Sequence, residues 1–222
     1  MSTATAEVPA AALEAGHGVQ GAHDHHATNT GLSNPKLAIW VFLSSEALFF
    51  GSFISTYLIF RGRDVAVAAA THKPIPHPKD LFDIPFTSCT SFILLMSSLT
   101  MVLALAAIQR GDQRRLRIWL GATAAFGLTF IAGQVYEFTN FYREGLHLST
   151  GTFGGTFFVM TGLHGAHVTV GIFWLLSLMQ RSAQGKLGPE KAEAVEIAGL
   201  YWHFVDIVWI VIFTVVYLVP YK

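Results

Sequence analysis

Five long stretches of the chain are almost free of charged side chains, and no other feature limits the possible folds as strongly. They cover about residues 37–60, 84–109, 118–136, 154–180 and 197–219. An α-helix rises about 1.5 Å per residue, so about 20 apolar residues cross the hydrocarbon layer of a bilayer. The sequence therefore predicts an all-α fold, a polytopic membrane helix bundle with five transmembrane helices.

The overall composition agrees with a protein that lies in lipid. Charged residues make up 13% of the 222 residues and hydrophobic residues 52%, whereas a soluble domain carries about 25% charged residues. The formal net charge is zero, which argues against a nucleic-acid partner. Cys89 is the single cysteine, so an intrachain disulfide is excluded, and we expect this thiol to be buried in its apolar stretch.

The first 34 residues differ in composition from the rest of the chain. They are rich in Ala, Gly, His and Thr and lack the basic start and apolar core of a secretory signal. We interpret residues 1–34 as a mobile N-terminal tail and residues 35–222 as a five-helix transmembrane domain. His23, His25 and His26 fall in the tail, where nothing nearby fixes a metal geometry, so we interpret them as solvated.

Basic residues between the second and third stretches predict the orientation. Five spans place the two termini on opposite sides of the membrane, and Lys and Arg accumulate in short cytoplasmic loops. This loop contains Arg110, Arg114, Arg115 and Arg117. We therefore predict a cytoplasmic N-terminus, an external C-terminus and an external loop at about residues 74–85.

Ionisable side chains inside the spans are rare, because inserting one into lipid costs a few kcal/mol, and they usually face protein or water. Five lie at comparable depth: Glu46 on the first span, His164 and His167 on the fourth, and His203 and Asp206 on the fifth. The two histidines of the fourth span are three residues apart, as are His203 and Asp206 of the fifth, so each pair lies on one helix face. We predict a buried polar layer that links these three spans.

This layer has two possible interpretations. Carboxylate and histidine side chains can hold a metal in a helix bundle, whereas an interhelical hydrogen-bond layer only positions the helices. We favour the second, since a di-iron site needs more carboxylates and a haem–copper centre more than three histidines. We assign no catalytic residue and no metal ligand. Glu137 and Glu144 flank the outer end of the third span, where we expect both to be interfacial.

Four segments resemble the motifs of cytochrome c oxidase subunit III. They are Tyr-Trp-His-Phe-Val-Asp-Ile-Val-Trp at 201–209, the pair of segments at 155–158 and 161–168, Ser-Glu-Ala-Leu-Phe-Phe at 45–50, and Gly-Gln-Val-Tyr-Glu at 133–137. The motif residues outside the polar layer are Ser45, Gly133, Gln134, Tyr136, Glu137, Thr156, Phe157, Phe158, Thr161, Gly162, Trp202 and Trp209. The motifs occur in the family's order, and the resemblance is to its short bacterial form with five helices.

The resemblance implies an accessory role in the aerobic respiratory chain. Subunit III of this family carries no haem or copper, which belong to partner subunits. It packs on subunit I, accompanies subunit II and a small subunit IV, binds phospholipid, and helps to sustain proton uptake and turnover. Glu46 corresponds to the family's buried, carbodiimide-reactive glutamate. The complex is an oxidoreductase and translocase of the inner membrane that oxidises cytochrome c, reduces oxygen to water and pumps protons.

Two alternatives remain open at the level of the sequence. Quinol oxidases contain a homologous subunit, and only Glu46 favours the cytochrome c branch. A small transporter or membrane metalloenzyme using the polar layer is a different class, although the sequence shows no internal repeat of the kind found in many transporters. A chain that purifies without a haem-bearing partner would favour that class.

Overall fold

The computed structural model describes residues 33–71, 84–143 and 152–219, and the side chains of 33–63, 84–143 and 154–219. The predicted tail with His23, His25 and His26 falls almost entirely outside the described residues, as do the loop at 74–83 and Glu144. By its internal contacts the chain divides after Leu37.

Long helices make up nearly all of the described chain. They are α1 (Asn34–Thr71), α2 (Ile84–Gln109), α3 (Gln113–Arg143), α4 (Thr152–Ala183) and α5 (Ala192–Phe213). A 3-10 turn at Pro189–Lys191 precedes α5, and a π-helical turn at Thr214–Leu218 follows it. Each of the five helices contains a stretch long and apolar enough to cross a membrane, so the predicted all-α fold with five spans is confirmed.

Several helices are longer than the spans predicted from hydropathy. α1 continues past residue 60 to Thr71 through a segment rich in alanine, the residue with the highest helix propensity. α3 begins before residue 118 and ends after residue 136. Hydropathy detects only the apolar part of a helix, whereas backbone hydrogen bonding continues wherever the residues favour it.

Two glycines with positive φ end α2 and α4. Gly111 has φ 75°; its N–H donates to the carbonyl of Ile108 (2.9 Å), and the N–H of Asp112 donates to the carbonyl of Ala107 (3.0 Å). These two bonds form a Schellman cap, which requires the left-handed backbone that glycine adopts easily. Gly185, with φ 69°, ends α4. The chain therefore turns directly from α2 into α3.

Helices α2 to α5 form the most tightly packed part of the molecule. The largest interface joins α2 to α3, followed by α3 with α4, α2 with α5 and α4 with α5. α1 is the least buried span: 17% of its most apolar stretch is buried, against 39% to 50% in the others. A few specific contacts must therefore determine where α1 lies.

Cys89 is exposed on α2, so the expectation of a buried thiol was wrong. α2 has no charged residue, and apolar side chains occur on all of its faces, while its buried face also carries hydroxyl groups such as those of Thr87, Ser91 and Ser97. Hydropathy alone therefore does not show which face of α2 meets the bundle.

Candidate functional site

Glu46 and His167 form a polar contact between α1 and α4. Glu46 Oε2 lies 3.2 Å from His167 Nε2, and the side chains are 18% and 20% exposed. His167 Nδ1 lies 2.8 Å from the carbonyl oxygen of Leu163. Since a carbonyl only accepts, the Nδ1–H of His167 donates to it, which fixes the orientation of the ring. Glu46 Oε2 has no hydrogen-bond partner among the described residues, so the two side chains meet as a close polar contact and not as a hydrogen bond.

An apolar cavity of about 510 Å³ opens beside this pair. Phe42 and Trp174 line it together with Tyr201, whose hydroxyl donates to the carbonyl of His167 (2.9 Å). The ring of Phe50 meets the imidazole of His167 edge-on at 5.1 Å. The acid–imidazole pair is thus held in place by aromatic groups and by the backbone of α4.

His203 and Asp206 of α5 share one hydroxyl on α2. Ser98 Oγ donates to Asp206 Oδ2 and lies 2.9 Å from His203 Nδ1. Because the hydroxyl has a single proton, which goes to Asp206, the Nδ1–H of His203 donates to Oγ. Asp206 is 3% exposed, and its Oδ1 has no hydrogen-bond partner among the described residues.

His164 is fully buried and makes aromatic contacts. Its ring stacks on Trp209 with centroids 4.9 Å apart and meets Phe130 edge-on at 5.8 Å. Neither ring nitrogen has a hydrogen-bond partner within the described part of the chain. The imidazole therefore acts as a packing group between α3, α4 and α5.

The five ionisable residues thus enter three sets of contacts. Among the described side chains, no hydrogen bond or ion pair joins the Glu46–His167 pair to His203, Asp206 or His164. Within the same residues, no three His, Cys, Asp or Glu side chains are placed to hold a metal ion. Each set ties a different pair or trio of helices together.

The two motif tryptophans bind serines of α2. The Nε1–H of Trp202 donates to Ser97 Oγ and that of Trp209 to Ser91 Oγ, both at 2.8 Å. With Ser98, these serines form a line of hydrogen bonds along the antiparallel α2–α5 interface. Sequence reasoning missed the serines because hydroxyl groups in membrane helices often bond only to their own backbone.

Gln134 and Thr161 connect α3 to α4. The Nε2–H of Gln134 donates to the backbone carbonyl of Thr161 (2.7 Å). A Cβ at Gly165 would lie 2.6 Å from Gln134 Oε1, so this glycine makes room for the amide. Gly133 serves α2 in the same way, since a Cβ there would lie 2.8 Å from Thr90 Cγ2.

The other motif residues divide between the core and the outer surface. Phe157 is fully buried, and its ring packs edge-on against the half-buried Phe158 at 5.4 Å. Tyr136 and Ser45 are exposed, and the Ser45 hydroxyl donates to its own helix. Thr156 and Gly162 are, like Phe158, half-buried.

Glu137 is buried, so the expectation that it is interfacial was wrong. It is 7% exposed and accepts a hydrogen bond from the hydroxyl of Thr87 on α2. The signal was present in the sequence, because Glu137 lies on the same helical face as Gly133 and Gln134, which are also buried.

Arg61 clamps α1 to the end of the bundle, which sequence reasoning also missed. It is 7% exposed and donates from Nη1 to the carbonyl of Val215 (3.0 Å) and from Nη2 to that of Val219 (2.7 Å). In a π-helical turn the Val215 carbonyl would accept from the residue five positions later, which is Pro220 and has no N–H. The guanidinium therefore takes the place of a missing backbone donor.

Five membrane-spanning helices joined by buried hydroxyl, imidazole and carboxyl groups define a polytopic membrane helix-bundle protein. The family model described as "Cytochrome c oxidase subunit III" matches residues 12–221, and the chain belongs to that family. It is therefore a subunit III of a haem–copper oxidase and part of a respiratory oxidoreductase complex.

Curated relatives cover most of the chain. "Cytochrome c oxidase subunit 3" of Bacillus sp. (strain PS3) is 36% identical over 197 residues, which is 89% of this chain and 91% of the relative. "Quinol oxidase subunit 3" of Bacillus subtilis (strain 168) is 35% identical over 202 residues, 91% of this chain and 95% of the relative. Relatives with both names thus match about equally well.

Proposed function

We propose that the chain is the accessory, cofactor-free subunit III of a proton-pumping cytochrome c oxidase in a bacterial cytoplasmic membrane. It packs on the catalytic subunit I, next to subunit II and a small subunit IV, while haem and copper reside on those partners. It binds phospholipid and supports proton uptake and stability during turnover. No residue of this chain takes part in electron transfer.

The observation that best supports this role is that the polar side chains inside the membrane contact other helices of the same chain. Glu46 Oε2 lies 3.2 Å from His167 Nε2, and Ser98 bonds both His203 and Asp206, so these polar groups contact one another between helices. A side chain held in this way defines the position of a helix. A bundle built like this offers a partner a fixed surface and a fixed electrostatic environment.

A time course of oxygen consumption tests the accessory role. The complex is purified with and without this chain, and both forms are followed through many turnovers. We expect similar initial rates, followed by earlier inactivation and slower proton uptake in the stripped form. A stripped complex with no initial activity, or a haem Soret band in the purified chain, would contradict the proposal.

The second candidate function is that of a quinol oxidase subunit III, which the name of the Bacillus subtilis relative favours. Oxidation of reduced cytochrome c and of a quinol by the purified complex separates the two. We expect turnover with reduced cytochrome c. Turnover with quinol alone would assign the chain to the second branch and leave its accessory role unchanged.

A further inference from the structure

A second cavity lies where α2 turns into α3. Its volume is about 470 Å³, within the range of about 300–1,000 Å³ that small-molecule sites occupy. One end is polar and is lined by Arg110, Asp112 and Arg115. The other end is lined by Leu103, Ile118 and Trp119.

The polar end of this cavity carries an arginine without a partner. Arg115 Nε lies 3.2 Å from Asp112 Oδ2, and the Arg115 N–H donates to Asp112 Oδ1 (3.0 Å). Asp112 is thus committed to Arg115 and to capping α3. The side chain of Arg110 makes no hydrogen bond or ion pair with any described residue. Two guanidinium groups and one carboxylate leave the cavity with one excess positive charge.

The backbone that carries these groups is fixed. Gly111 and the Schellman cap determine the turn, and the Gln113 side chain anchors the start of α3. Its Nε2–H donates to the carbonyl of Leu187 and its Oε1 accepts from Ser182 Oγ, each at 2.8 Å. A ligand therefore does not have to order this segment when it binds, which favours affinity.

The apolar end of the cavity lies on the side of the arginines that faces the hydrocarbon layer of the membrane. Ile118 is 55% exposed, Leu103 is half-buried, and Trp119 is the kind of ring that lies at the membrane–water interface. A free inorganic anion would use only the arginines. A molecule with a phosphate and an acyl chain uses both ends of the cavity.

We propose that this cavity binds an anionic phospholipid, with the phosphate at Arg110 and Arg115 and an acyl chain along Leu103 and Ile118. Basic pockets at the ends of membrane helices bind such headgroups, and a guanidinium pairs well with phosphate. The proposal rests on the lipid-binding part of the proposed function and assigns it a site. In the simpler alternative, the arginines of this loop serve only to orient the chain in the membrane.

Two double variants separate these alternatives. R110Q/R115Q removes both arginines of the cavity, whereas R114Q/R117Q removes two arginines of the first turns of α3 that do not line it. Each intact oxidase complex is purified in mild detergent, and its retained lipids are counted by native mass spectrometry. We expect R110Q/R115Q to lower the occupancy of one anionic phospholipid by about tenfold or more, as loss of charged hydrogen bonds implies. R114Q/R117Q should keep it.

Titration of the delipidated complex identifies the ligand. The probes are dioctanoyl phosphatidylglycerol, dioctanoyl phosphatidylcholine and inorganic phosphate. We expect phosphatidylglycerol to bind and R110Q/R115Q to abolish this binding. If phosphatidylcholine binds as well as phosphatidylglycerol, the cavity is only an apolar groove. If inorganic phosphate binds as well as phosphatidylglycerol, the cavity is only an anion site. Either result would overturn the proposal, as would equal lipid loss from both double variants.

A third variant covers the case in which R110Q/R115Q fails to assemble. Ala106→Leu keeps all charges and places a larger side chain at the cavity wall, so it should also lower lipid occupancy, and full retention would contradict the proposal. Oxidase activity is recorded for every variant. If only the lipid proposal is wrong, oxidase activity still depends on this chain. If the proposed function is wrong, that dependence is absent, so the two failures give different results.

Discussion

At the residue scale, the Glu46–His167 pair is the most specific contact between α1 and α4. Both residues were singled out from the sequence, because ionisable groups in a membrane span are costly. Their pairing was not predictable, since depth along two helices does not determine how the helices are rotated. The orientation of the imidazole follows only from the bond between His167 Nδ1 and the carbonyl of Leu163.

Substitutions at Glu46 test this pair. Glu46→Gln can donate an amide N–H to His167 Nε2, so we expect assembly and subunit content close to those of the parent. Glu46→Lys places a cation beside the same imidazole and should release much of the chain from the purified complex. The measurement is a subunit census after solubilisation. Equal retention of both variants would show that the contact does not position α1.

At the element scale, the interfaces depend on small residues that admit larger polar groups. Gly165 makes room for the amide of Gln134, which in turn holds a backbone carbonyl of α4. The sequence showed small residues along α4 but not which of them faces α3. That distinction requires the rotation of the helix, which a helix apolar on most sides does not reveal.

A pair of alanine substitutions on α4 tests this reading of the α3–α4 interface. Gly165→Ala should destabilise the chain by about 1–3 kcal/mol, because the new methyl group overpacks the interface and displaces the Gln134 amide. Gly162→Ala is the matched control. Nothing lies within 4 Å of its Cβ, so we expect a neutral or slightly stabilising effect, since alanine favours a helix over glycine by about 0.5–1 kcal/mol. The midpoint of thermal unfolding of the purified complex reports both.

Arg61 and Arg63 provide a second comparison at this scale. Arg61→Gln removes two charged hydrogen bonds to the π-helical turn and should cost about 1.5–3 kcal/mol. The exposed side chain of Arg63 makes no hydrogen bond or ion pair with a described residue, so Arg63→Gln should have little effect. Hydrogen exchange of the Val219 N–H, which is bonded to Thr214, should accelerate about tenfold or more only in Arg61→Gln. Equal exchange in both variants would exclude the clamp.

At the scale of the whole molecule, hydropathy predicted five spans, and α2 begins and ends where it was expected. The sequence did not reveal the contacts that hold the spans together. Serine is common and neutral, so Ser91 and Ser97 carried no signal. Arg61 lies at the end of an apolar stretch, where a basic residue is ordinarily interfacial.

Orientation also belongs to this scale. All four arginines of the α2–α3 region are exposed at one end of the bundle, and we expect this end to be cytoplasmic. In a Cys89→Ser background, a membrane-impermeant thiol reagent added to intact cells should label a cysteine at position 77. It should miss a cysteine at position 113. The opposite labelling pattern would reverse the orientation.

The Arg61 clamp has a consequence for biogenesis. The carbonyl groups that Arg61 binds lie 154 and 158 residues later in the chain. At about 5–20 residues per second, a ribosome needs roughly 8 to 30 s to reach them. α1 therefore waits in the bilayer while α2 and α3 already pair as a hairpin. A translation arrest before α5 would leave an orphan first helix, which membrane quality-control proteases could recognise and remove.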